Sequence, residues 1–135
     1  CNMEVWKKWN LYKTDLSSLS LEILNDTEAL NIIFKNKNEN IVFRLEGGWF
    51  SYKATNKKAF LKKLEYLKTQ KSISIPEHTS LFIIEGSDYS NWQKEESNRV
   101  YEIANIKIQH FVFIGSNLVF EVLSSCEPEV VMKRY

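Results

Sequence analysis

From Ser18 onward the apolar residues fall in strand-length runs, alternating or unbroken, each closed by turn residues; only between Asn56 and Lys68 does the period lengthen to 3.6. Side chains alternate faces along a strand but return to one face every three or four residues along a helix. A chain patterned this way puts most of its backbone into pleated strands and lays one main helix on them. Residues 18–24, SLSLEIL, set Leu19, Leu21 and Ile23 against Ser18, Ser20 and Glu22, the alternation of a half-buried strand. LNIIFK at 30–35 and IVFRLE at 41–46 follow, separated by NKNEN, whose asparagines tolerate the backbone angles of a tight reversal. Gly47-Gly48 turns the chain into WFSYKAT, so these four runs predict a four-stranded antiparallel meander.

In the helical segment, Ala59, Phe60, Leu61, Leu64 and Leu67 form the apolar stripe and Thr55 or Asn56 is the expected cap. SLFIIE at 80–85 is a continuous apolar strand ending at Gly86. Ser90 followed by Gln93 has the spacing of a capping box and predicts a short helix over about 91–98. IKIQHFVFIG and LVFEVLSS, joined at Ser116-Asn117, read as a closing hairpin, and the tail CEPEVVMKRY, interrupted by Pro128, reads as irregular. At the other end, Trp6 and Trp9 in MEVWKKWNLY suit an irregular arm that lays its tryptophans on the core.

The 135 residues suffice for one domain, 1–135, with one core, and the 44% apolar fraction with only four Gly and two Pro excludes a disordered chain. Eighteen basic residues against 17 acidic give no global field for nucleic acid or an anionic membrane. No apolar stretch approaches the roughly 20 residues a bilayer requires, and there is no signal-peptide pattern, so the reading is a soluble protein without a membrane partner. Cys1 and Cys126 have neither metal-site nor disulfide-framework spacing and point to a reducing cytoplasm. A chain beginning at Cys1 is also compatible with a lipidated mature terminus, although Trp6 and Trp9 follow where a flexible tether would be expected.

No phosphate loop, nucleophile elbow or His-x-x-x-His pair is present, so no catalytic residue, metal or cofactor is expected. His78 and His110 stand far apart, and a lone strand histidine such as His110 reads as a packed residue; a small hydrolase would need His110 within reach of Glu96. The segment IIEGSDYSNWQKEES gathers Tyr89 and Trp92 among Glu85, Asp88, Glu95 and Glu96. Amphipathic rings beside carboxylates suit a charged protein partner, and Tyr52 is a further aromatic candidate. The alternative interface is the basic helix 57–71, where six lysines against Glu65 give a local charge of +5 and Lys58, Lys62 and Lys63 would meet nucleic acid.

Three strings, FSYKATNKKAFLKKLEYL, TSLFIIEGSDYSNWQKEES and IQHFVFIGSNLVFEVLSSCEPEV, resemble segments of a group of small, mostly uncharacterised bacterial proteins, over about residues 40–130. The shared positions are Ser51, Tyr52, Thr55, Ser87, Tyr89, Trp92, Glu95, Glu96, Ser97, His110, Asn117, Glu127 and Pro128. Some members look like the immunity proteins of polymorphic or contact-dependent toxin systems, which bind and silence a cognate toxin. Here Asn56 and Lys57 stand where the group has Asp-Glu, and Gln93 where it has Phe. The resemblance implies an immunity-type inhibitor and carries over no catalytic residue.

The expected fold is therefore α+β, a mainly antiparallel, twisted sheet of about six or seven strands with the helix 56–68 on one face and the helix 91–98 near an edge. Its core should contain Leu21, Ile23, Ile33, Val42, Phe60, Leu64, Leu67, Phe82, Ile84, Phe111, Phe113, Phe120 and Val122. The expected function is non-catalytic protein binding through Tyr89, Trp92, Glu95, Glu96, Asp88 and Tyr52, with a nucleic-acid accessory role through Lys58, Lys62 and Lys63 as the alternative.

Overall fold

A computed structural model describes residues 4–9, 11–12, 16–69 and 80–134. The fold is α+β, with two antiparallel sheets and three helices. The strands are β1 (Val5–Lys8), β2 (Ser20–Asn25), β3 (Leu30–Lys35), β4 (Glu39–Leu45), β5 (Trp49–Asn56), β6 (Leu81–Glu85), β7 (Gln109–Ile114), β8 (Leu118–Ser124) and β9 (Glu129–Arg134). The helices are α1 (Lys57–Thr69), α2 (Asp88–Glu96) and α3 (Val100–Ile103). One sheet has the order β1-β6-β7-β8-β5 and the other β2-β3-β4-β9.

Strands β2 to β8 and both longer helices lie close to where the hydrophobic periods place them, but the strands among the described residues number nine and divide between two sheets. The meander ends at β4. Gly47 (φ 119°) and Gly48 (φ 73°) take left-handed backbone angles there, and β5 leaves to pair with β8 in the other sheet. The positive φ at Gly48 favours glycine, and a Cβ there would also have to displace the side-chain ends of Cys126 and Ser125, each 2.9 Å away. The tail is not irregular. Pro128 precedes β9, whose Glu129–Arg134 backbone pairs with β4, and proline at a strand boundary costs no ladder hydrogen bond. Likewise the amino-terminal arm is partly strand, because β1 pairs with β6 and buries Trp6, with Trp9 buried just beyond it.

Face-to-face packing of the two sheets makes the main core. Leu21, Leu30, Ile32, Phe34, Ile41, Phe43 and Leu45 project from one sheet and Leu81, Phe111, Phe113, Phe120 and Val122 from the other. Phe113 is in edge contact with Phe43 (ring centroids 5.2 Å) and Trp9 (5.7 Å), an arrangement aromatic quadrupoles favour. The opposite face of the five-stranded sheet carries Trp6, Phe82, Ile84, Val112, Ile114 and Val119, against which the α1 residues Phe60 and Leu64 pack half-buried. Burial on both faces explains why β7 and β8 read as near-continuous apolar runs. Of the expected core residues Ile33 is only partly buried, because it lies on the outer face of the four-stranded sheet, one residue out of phase with Ile32, Phe34 and Phe43; Val42, its cross-strand partner on that face, is buried as expected. Leu67, Lys68, Lys71 and His78, as side chains, lie outside the described residues, as does Cys1.

The hairpin tip at residues 115–117 ties the sheets together. Asn117 accepts the Leu21 N–H (2.8 Å) and donates to the Leu21 carbonyl (3.1 Å), imitating a strand partner for β2.

Candidate functional site

Strand alternation builds the site on the helix-covered face of the five-stranded sheet. Across it, Ile84, His110, Leu123 and Ser51 are successive cross-strand partners, and the adjacent row runs Phe82, Val112, Glu121, Lys53. His110 and Glu121 are thus diagonal neighbours in an otherwise apolar surface, with Ser51 and Lys53 beside them on the edge strand β5. Both are buried, and His110 Nε2 lies 3.0 Å from Glu121 Oε1. With Glu121 ionised, its oxygens only accept, so the shared proton is assigned to Nε2; Nδ1 has no hydrogen-bond partner. Lys53 Nζ stands 3.7 Å from the other Glu121 oxygen and keeps half its side chain in water. A buried carboxylate needs such partners, because an unpaired charge there would carry the full desolvation penalty.

Tyr89 of α2 roofs this cluster. Its hydroxyl is 2.5 Å from Ser51 Oγ, its ring lies edge-on to His110 (5.4 Å), and Lys53 sits 4.4 Å above the ring centroid. Burial, reinforced by the negative Glu121 and only partly offset by the Ser51 hydrogen bond, raises the Tyr89 hydroxyl above its ordinary pKa. Tyr89 therefore holds its proton at the cluster. Trp92 stacks on Tyr89 at 5.9 Å and is half-exposed.

The helix that carries these rings starts earlier than the capping-box spacing predicts. Ser87, not Ser90, is the N-cap; its Oγ accepts the Ser90 N–H at 2.9 Å, and the Ser90 hydroxyl turns back to the Ser87 carbonyl. Asp88 then occupies the first turn, where the helix dipole favours an acid, and its own N–H donates to Glu4 Oε2 (3.0 Å). Burial alone would push the Glu4 carboxyl up, but the Asp88 hydrogen bond and Lys63, 3.3 Å away, hold it below its ordinary value. One face of α2 presents Trp92 and Glu96, four positions apart; Glu95 pairs with Arg99, which also holds Glu102 (2.8 Å). Glu96 is exposed and makes no ion pair among the described residues.

The helical corner continues into α3, past the end of the expected short helix at about residue 98. Arg99 adopts left-handed angles (φ 57°) between the two helices, and Tyr101 packs on Phe50 of β5 at 4.4 Å. Trp92, Val100, Ile103 and Ile106 are four of the nine large apolar side chains exposed among the described residues, so exposed apolar surface concentrates in this corner.

No family model, no curated protein and no solved structure matches this chain. Of the expected site residues, the fold brings together Tyr89, Trp92, Glu95, Glu96 and Asp88 on α2. Tyr52 does not join them, because it faces the inter-sheet side, against Trp49 and Phe120, while its neighbours Ser51 and Lys53 face Tyr89. The histidine's partner is Glu121, and the sequence pairing of His110 with Glu96 is replaced by that contact. On the basic helix, Lys58 and Lys62 are exposed, but Lys63 is turned inward to Glu4 and over the rings of Trp6 (5.9 Å) and Tyr66 (5.8 Å). Among the described residues no group of three or more His, Cys, Asp or Glu side chains could hold a metal, and no helix is long and apolar enough to cross a membrane.

Glu121 and Lys53 were missed by sequence reasoning. The signal was present: Glu121 shares its strand face with Val119 and Leu123, and a lone acid in a buried alternation implies a buried partner.

Proposed function

We propose that this protein is a non-catalytic binding domain of the immunity type, which acts in the cytoplasm by occupying the working surface of a cognate bacterial toxin. The observation that carries this reading is Trp92: half-exposed, stacked on Tyr89, and held through Tyr89 on a buried hydrogen-bonded cluster. An aromatic side chain braced in this way loses little rotamer freedom when a partner covers it, and such residues dominate interface energies. The free carboxylate of Glu96 on the same face and the apolar Val100 and Ile103 beyond it favour a partner with a basic, partly apolar surface. Occlusion requires no chemistry from the domain.

Affinity capture from the native lysate tests the reading, with wild-type protein and a Trp92→Ala variant of equal melting temperature compared at low and high salt. The expected result is one stoichiometric protein retained by wild type at high salt and lost with Trp92→Ala. Retention of the same protein by the variant, or capture of nucleic acid that leaves as salt rises and depends on Lys58 and Lys62, would contradict it.

A further inference from the structure

A second surface lies on the other side of α2. An open groove of about 910 Å³ runs between β1, the end of β6, the α2 side bearing Asn91 and Lys94, and the segment 105–109, and this volume lies near the upper end of the range for ligand sites. Its apolar lining includes exposed Ile106 and half-buried Ile83 and Ile108, while Ile84, next to Ile83 in β6, turns its side chain to the opposite face of the sheet and is buried there.

The charges along it are not balanced. Glu85 is held by Lys7 at 2.9 Å, and Glu102 by Arg99 at 2.8 Å and Lys94 at 3.7 Å. Lys8 and Lys107 make no hydrogen bond or ion pair among the described residues, and the same holds for the side-chain amides of Asn91, Asn105 and Gln109. The groove thus offers two free ammonium groups for carboxylates and three free amides that can both donate to and accept from peptide groups, beside the apolar Ile83, Ile106 and Ile108. No aromatic side chain lines it, so it lacks the stacking platform on which single-stranded nucleic acid binding depends.

From this complementarity we infer that the groove binds an extended acidic peptide segment, with its carboxylates on Lys8 and Lys107 and alternate apolar side chains on Ile106 and Ile108. The site is independent of the Trp92 face, because Asn91 and Lys94 point to the groove while Trp92 and Glu96 occupy a different side of the same helix. The two surfaces can therefore fail separately.

The test uses fluorescence anisotropy of the full chain with three labelled probes, an alternating Glu-Leu peptide, an alternating Lys-Leu peptide of equal length and oligothymidylate. The same protein, isotopically labelled, is followed by amide NMR. The Glu-Leu peptide should bind saturably and shift the amides of 83–86 and 105–109. The double variant Lys8→Glu/Lys107→Glu, both exposed positions, should weaken it by at least about tenfold with an unchanged melting temperature. Trp92→Ala should leave peptide binding intact. Absence of saturation at peptide concentrations on the order of 1 mM, equal affinity for the Lys-Leu peptide, preference for oligothymidylate, or indifference to the double variant would each overturn the inference.

Discussion

Glu121 is a polar residue whose removal the fold absorbs poorly. Glu121→Ala would leave His110 buried without a partner on either ring nitrogen and Lys53 without its counter-charge, so a loss of about 3 kcal/mol in a urea melt is expected. Glu4 and Tyr89 make stability depend on pH at opposite ends of the scale. The Glu4 carboxyl titrates below its ordinary value of 4.5 in the folded chain, so the stability it contributes is present above that pH and is lost as pH falls through the lower folded value. Glu4→Gln should therefore flatten the acid limb of the stability profile. Tyr89 is shifted the other way, above 10.0; its contribution is complete below pH 10 and disappears as pH rises through the folded value, and Tyr89→Phe should remove that alkaline loss. Identical acid and alkaline limbs in wild type and the two variants would contradict the placement of both side chains.

At the scale of elements, two kinds of position carry measurable cost. Phe113, buried in the inter-sheet core, should cost about 3 to 5 kcal/mol on replacement by alanine, whereas half-buried Leu64 on α1 should cost less, about 1 to 2. Gly115 is held by space. A Cβ there would stand 2.7 Å from Leu21 Cβ, so Gly115→Ala should force the hairpin off β2 and destabilise by about 1 to 3 kcal/mol, read by thermal unfolding. The elements themselves were largely legible, because hydrophobic period reports strand or helix directly. Which sheet a strand joins was not. WFSYKAT looks like the fourth strand of the meander, and nothing local tells that the two glycines carry it across to β8. The phase of a short apolar run was equally hidden: in LNIIFK either Ile32 or Ile33 could face the core, and only Phe43 and Phe113 opposite decide for Ile32 and Phe34.

For the whole molecule, two open surfaces flank one short helix braced from beneath by Ser51, Lys53, His110 and Glu121. The aromatic and acidic half was readable, since Tyr89, Trp92 and Glu96 lie within eight consecutive residues. Of the brace, the His110–Glu121 pair crosses the expected closing hairpin and left a signal in its apolar alternation, but Ser51 and Lys53 were not readable, because they meet the pair only once β5 joins β8. Isothermal titration of the captured partner into wild type, Trp92→Ala and the double variant Lys58→Glu/Lys62→Glu tests the central claim most directly. Trp92→Ala should weaken binding by at least about 2 kcal/mol, roughly thirtyfold, while the lysine reversals change it little. Unchanged affinity for Trp92→Ala, with loss on lysine reversal, would contradict it and move the interface to α1.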